Sequence, residues 1–127
     1  MVFQYESIHN RQKERCKMLI LPIKKKWFDM IASREKTEEY REIKPYYRKR
    51  FETIGLLDVY GLPVVNKVWV ILRNGYSTKS PQIKAEVTLD IKEGRPEWGA
   101  EPGVEYYVLK ILRIYRVPNE NRESECN

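Results

Sequence analysis

The octet Arg34-Glu35-Lys36-Thr37-Glu38-Glu39-Tyr40-Arg41 brings cations, carboxylates and a phenol together within one short stretch. A lysine and a carboxylate held away from water can orient a polar ligand. Burial also makes a lysine shed its proton more readily, which moves it towards base behaviour. Read as a strand, the segment puts Lys36, Glu38 and Tyr40 on one face and Thr37, Glu39 and Arg41 on the other. Lys36 and Glu39 then meet only if the chain bends where the strand begins. Turned inward, each needs a partner, because an unpaired buried charge is costly. The competing arrangement is an exposed strand or helix end with surface ion pairs, which contribute little.

A second stretch, Arg73-Asn74-Gly75-Tyr76-Ser77-Thr78-Lys79-Ser80, has the residue types of a phosphate or base contact. Arg73 can grip a phosphate through two parallel hydrogen bonds. Gly75 permits close backbone approach. Tyr76 can stack on a base, Ser77 and Thr78 offer hydroxyls, and Lys79 adds a cation. The competing reading is an ordinary hairpin turn with Asn-Gly at its tip. Tyr40, Tyr46 and Tyr47 lie among Arg41, Lys44, Arg48, Lys49 and Arg50, an interleaving that suits single-stranded RNA. Tyr47 is assigned to the core with Phe51, which leaves Tyr40 and Tyr46 as binders. Trp27 and Trp69 are assigned to the core. Trp98 either covers the cleft or packs on the sheet.

These residues need a scaffold, and the hydrophobic pattern predicts one. Met18–Ile23 reads as a buried strand carrying Pro22, and Lys24–Ser33 as a helix with Trp27, Phe28 and Ile31 on one face. Lys36–Glu42 is expected as a strand. Pro45 opens a second helix at its first turn, with Tyr47, Phe51 and Ile54 as its buried stripe. Gly55–Asn66 is a partly apolar connection. Lys67–Arg73 is a strand, followed by a turn at Asn74-Gly75. Ile83, Ala85, Val87, Leu89 and Ile91 alternate with Lys84, Glu86, Thr88 and Asp90, the mark of a half-buried strand. Gly94–Gly103 is a loop, and Glu105–Val117 a last long strand with Tyr106, Val108, Ile111 and Tyr115. Strand, helix, strand, helix and then three strands favour an α+β fold over a doubly wound sheet. Residues 1–16 are expected to form a flexible arm, 17–118 the domain, and 119–127 a disordered tail.

The totals bound the function. A chain of 127 residues fits one domain, and 42% hydrophobic residues can fill its core. No apolar run approaches the length of a membrane span. The N-terminal residues lack the apolar stretch of a secretory signal, so a cytoplasmic location is expected. Cys16 and Cys126 are the only cysteines and His9 the only histidine. They make no zinc pattern, the thiols are expected free, and no metal or cofactor is expected. A hydrolase centre that needs a core histidine is disfavoured. The net charge of +6 is uneven. Residues 1–50 hold 14 Lys+Arg against 7 Asp+Glu, whereas residues 51–127 hold 10 against 11. Such asymmetry points to a polyanionic partner.

The octet resembles the G-x-K-x-x-E-x-R signature of the ASCH superfamily, with Lys36, Glu39 and Arg41 at its Lys, Glu and Arg positions. Arg34 stands where that family has Gly, so the helix is expected to end in a different way. The Leu21-Pro22-Ile23 strand, the Trp27–Ile31 helix, the Arg73-Asn74-Gly75-Tyr76 turn and the Ile83–Ile91 strand extend the resemblance over residues 18–116. It implies a small open PUA-like β-barrel of about five to six strands with two or three helices, a barrel size within the usual range. It also implies a basic cleft that binds RNA, a nucleotide or a nucleoside. The expected binding set is Lys36, Glu39, Tyr40, Arg41, Arg73, Asn74, Tyr76 and Lys79. One branch of the family comprises acetylcytidine amidohydrolases that use Lys, Thr and Glu. Lys36 matches that lysine, but Glu39 stands at the threonine position. Glu97 and Glu101 are candidates for the glutamate by region only. The alternative function is therefore a metal-independent hydrolase of a modified nucleoside, or a ribonuclease. It would use Lys36 and Glu39, assisted by the hydroxyl of Thr37, Tyr76 or Ser77.

Overall fold

The computed structural model describes residues 18–118. The expected arm and tail, with His9, Cys16 and Cys126, lie outside them. The fold is α+β: one five-stranded mixed sheet, two helices and a short 3-10 turn. In chain order the elements are β1 (Ile20–Ile23), α1 (Lys25–Ala32), β2 (Glu38–Arg41), α2 (Pro45–Thr53), β3 (Val68–Asn74), β4 (Gln82–Glu93), the 3-10 turn Pro96–Trp98 and β5 (Glu105–Val117). No helix among the described residues is long and apolar enough to cross a membrane.

The sheet order is β1-β3-β4-β5-β2. β1 runs parallel to β3, with Ile20 opposite Ile71 and Ile23 opposite Asn74. A parallel pair needs a long crossover, and α1, β2 and α2 supply it. The other pairs are antiparallel. Pro22 has no N–H to give to a ladder, so it suits β1, an edge strand.

In β4 the predicted alternation holds: Ile83, Ala85, Val87 and Leu89 are buried. In β5 the inward residues are Tyr107, Leu109 and Ile111, with Ile114 packed against the same cluster. Ile111 and Ile114 are three apart, which a regular strand cannot place on one face. A register shift at Glu86/Val87 supplies the extra residue. Of the residues named for this strand, Val108 and Ile111 are buried, Tyr106 is half-buried and Tyr115 is exposed. Phe28 and Ile31 of α1 and Phe51 of α2 close the core. Leu56 and Leu57, within the predicted connection, are core residues as well. Phe51 meets Tyr107 edge to face, with centroids 5.3 Å apart.

The end of α1 corrects the expectation for Arg34. Arg34 adopts the left-handed conformation itself, at φ 69°. Its N–H donates to Ile31 O at 3.0 Å, and the Lys36 N–H donates to Met30 O at 3.0 Å. The helix therefore stops in the glycine-type manner with an arginine in the strained position, and that turn aims Lys36 inward.

Candidate functional site

The chain turns at residues 33–35, just before Lys36, and β2 starts only at Glu38. The predicted strand is thus shortened, and the bend that the Lys36–Glu39 pairing required is present. The Thr37 carbonyl accepts from the Ile111 N–H at 2.9 Å, which ties the chain after this turn to β5. Lys36 is fully buried, at 0% exposure. Its Nζ donates to Glu39 Oε1 at 2.5 Å and to the Glu38 carbonyl at 2.7 Å. The rings of Trp27 and Tyr40 lie 5.4 and 5.3 Å from the ammonium, close enough for cation–π attraction.

Glu39 uses its second oxygen as well. Oε2 accepts from Arg41 Nη1 at 2.7 Å. Arg41 then reaches across the opening of the sheet, where Nη2 donates to the Pro22 carbonyl at 2.9 Å. β1 and β2 are the two edges of the sheet, so one guanidinium ties them together. The network carries two cations against one carboxylate. It is a buried ion cluster rather than the exposed pairing that was the competing reading. Burial lowers the Lys36 pKa from its ordinary value, and Glu39 opposes that shift.

The other face of β2 builds a second set of contacts. The Tyr40 hydroxyl donates to Glu38 Oε1 at 2.8 Å and accepts from the Arg95 N–H at 2.9 Å. Burial raises the Tyr40 pKa, with the Arg95 contact opposing, so the phenol stays protonated. Lys92 Nζ lies 3.2 Å from Glu38 Oε2. The Tyr40 ring sits directly over Gly94. A Cβ built there would come within 2.7 Å of the ring and of Ala100 Cβ.

Above Glu39 and Arg41 lies a cavity of about 550 Å³. Trp27, Tyr40, Tyr76 and Trp98 form its aromatic walls, and Lys24 and Lys25 its cationic rim. Asn74 and Gly75 supply polar groups from the turn after β3. The Gly75 N–H donates to the Ile23 carbonyl at 3.1 Å and holds that turn against β1. Gly99, at φ 100°, lets the loop approach the Trp27 ring; a Cβ there would stand 3.0 Å from Trp27 Cζ2. The volume and lining suit a flat ring between aromatic faces, with a phosphate or other anion at the lysines and an amide for the ring edge. Among the described residues no cluster of three or more His, Cys, Asp or Glu is placed to hold a metal ion.

The structure brings together part of the predicted set. Glu39, Tyr40, Arg41, Asn74 and Tyr76 line the cavity, and Lys36 lies beneath it, not on its wall. Arg73, Ser77, Lys79 and Thr37 are not among its lining residues. Arg73 turns to the buried Gln82 amide. The amide oxygen, in the orientation that satisfies both groups, accepts from Nε at 2.8 Å and Nη2 at 2.9 Å. Ser77 Oγ accepts from the Lys79 N–H at 3.1 Å within its own turn. Glu97 and Glu101 are exposed and do not reach the cavity.

Assigning Trp27 and Trp69 to the core is corrected: both are half-buried, and Trp27 is a wall of the cavity. Helical spacing marked the face of Trp27 correctly but could not show that its outer edge borders a cleft. Trp98 lines the cavity. Lys24 and Lys25 were missed as site residues. Their signal was the run of lysines at a helix start, where the macrodipole disfavours them, with no side-chain cap and no acidic residue in the first turn. No family model, no curated protein and no solved structure matches this chain.

Proposed function

We propose that this chain is an ASCH-type domain, its sheet curled into a small open PUA-like barrel, and that it binds RNA or a nucleotide in the cavity above Glu39 and Arg41. One observation carries the reading. A carboxylate with both oxygens engaged and an arginine form the floor of an aromatic-walled cleft with a cationic rim, and a fully buried lysine holds that floor from beneath. The Arg41 bridge to Pro22 supports the curled sheet, because the two edges must approach for one side chain to join them. The aromatic walls support a base or nucleoside ring. The rim supports its phosphate, as does the basic excess of residues 1–50.

Binding is favoured over hydrolysis. A catalytic Lys36 must meet the substrate, whereas its ammonium lies under the floor with Glu39 and the Glu38 carbonyl as partners. Its burial among Trp27, Tyr40 and Glu39 makes it the post that fixes the floor. The test is a calorimetric titration with nucleosides, nucleotides and short RNAs at low salt. Binding should weaken as salt rises and should fall about tenfold in Trp98→Ala, the loss of one base–aromatic stack. If none of these ligands is bound, or if Trp98→Ala binds as well as wild type, the proposal fails.

A further inference from the structure

A second cavity of about 440 Å³ adjoins the first and shares two wall residues with it, Pro22 and Tyr76. Tyr76 borders both openings and is 87% exposed, so its ring is accessible to ligand. The far side of the second cavity is aromatic and basic: Lys44, Tyr46, Tyr47 and Arg50, with no acidic lining residue. Arg50 lies 3.5 Å from the Tyr46 ring centroid and also donates to the Tyr46 carbonyl at 3.1 Å. Lys44 has a loose contact with Glu42 at 3.6 Å, an exposed pair that an anion can displace. None of these groups belongs to the buried Lys36–Glu39–Arg41 floor.

We propose that the second cavity is a second nucleotide subsite, so that the ligand is a single-stranded oligonucleotide and not a free mononucleotide. This inference rests on the reading of the first cavity as a base or nucleotide site. Two cavities bordered by one exposed tyrosine match successive bases beside a stacking ring, the arrangement by which single strands are held without pairing. The cations line both cavities, Lys24, Lys25 and Arg41 the first and Lys44 and Arg50 the second, as a continuous phosphodiester backbone requires. A mononucleotide leaves the second group unused.

The experiment compares a nucleoside monophosphate with oligonucleotides of increasing length, each as RNA and as DNA of the same sequence, by calorimetry or fluorescence anisotropy at low salt. Affinity should rise at least about tenfold from the monophosphate to the shortest oligomer that spans both cavities. Arg50→Ala and Tyr46→Ala should each lower oligonucleotide affinity and leave monophosphate affinity unchanged. Both are surface substitutions, and a thermal melt of each variant verifies the fold. RNA and DNA arms that bind alike indicate recognition by stacking and charge, and a preference for RNA adds contacts to the 2′-hydroxyl; either result supports the two subsites. Equal affinity for monophosphate and oligomer overturns the inference while the first cavity stands, as does an oligomer affinity untouched by Arg50→Ala and Tyr46→Ala. Loss of binding to every ligand overturns both.

Discussion

The variant Glu39→Gln keeps the size of the side chain but offers one acceptor oxygen where two cations donate. In the native fold Oε1 takes Lys36 Nζ and Oε2 takes Arg41 Nη1. In the variant the amide NH2 must face one of them, donor against donor. The site is dry, since the Lys36 and Glu39 side chains are 0% and 6% exposed, so water does not repair the lost bond. Breaking a buried pair in this way costs about 3–5 kcal/mol. An exposed pair costs about 0.2–1 kcal/mol. A domain of this size shifts by about 5 °C per kcal/mol, so the melting temperature should fall by about 15–25 °C. A native margin of about 5–15 kcal/mol still leaves the variant folded at low temperature. The assay is denaturant and thermal unfolding at neutral pH of wild type, Glu39→Gln, Lys36→Met and the double variant. The double variant has no orphaned ammonium, so its loss should be smaller than the sum of the two single losses by about 1–2 kcal/mol, within the range for contacting residues. A loss under about 1 kcal/mol in Glu39→Gln, or strict additivity in the cycle, would show that the cluster is solvated and that the floor of the cavity is not built as described.

Three further outcomes are expected. Lys36 has a folded-state pKa below its unfolded value of 10.5 because it is buried. The unfolded chain therefore binds more protons in the alkaline range, and the stability of wild type relative to Lys36→Met should rise with pH as Lys36 deprotonates, up to about 10.5; a difference that is flat or falls across pH-jump unfolding curves contradicts this. Arg34→Gly should be neutral to slightly stabilising. Relief of the left-handed backbone returns about 1–2 kcal/mol, and the freer unfolded chain takes back about 0.4–1 kcal/mol, so a melt lowered by the substitution would contradict the turn at φ 69°. Gly94→Ala should destabilise by about 1–3 kcal/mol through overpacking, because the new methyl meets the Tyr40 ring at 2.7 Å while that ring is held by Glu38 and Arg95; an unchanged denaturation midpoint would mean that the ring is loosely held.

Much of the scaffold was legible because it is local. The alternation from Ile83 to Ile91 and the apolar stripe of Tyr47, Phe51 and Ile54 follow from periodicity alone, and Glu105–Val117 has the bounds expected. The Lys36–Glu39 spacing also carried its own condition, a bend before the strand, and the structure meets it. What escaped was non-local. Arg41 is joined to Pro22 by the closing of two sheet edges nineteen residues apart in sequence, and Tyr40 is held by the Arg95 backbone, fifty-five residues on. Arg73 had the residue type for a phosphate contact, but the facing strand placed Gln82 beside it. Trp27 and Trp98 meet at the same cleft only because Gly99 lets a distant loop approach the helix. Residue type named the chemistry; the pairing of strands chose which side chains share the cavity.

The three tryptophans give the most direct measurement. Trp27 and Trp98 line the cavity, whereas Trp69 packs against Tyr115, with Arg113 beside its ring, on β3 and β5. In a two-dimensional NMR titration with a short single-stranded RNA, the indole N–H signals of Trp27 and Trp98 should move together and saturate with one affinity, while that of Trp69 stays in place. Indole signals that all remain still, or a shift confined to Trp69, would contradict a ligand seated between the aromatic walls.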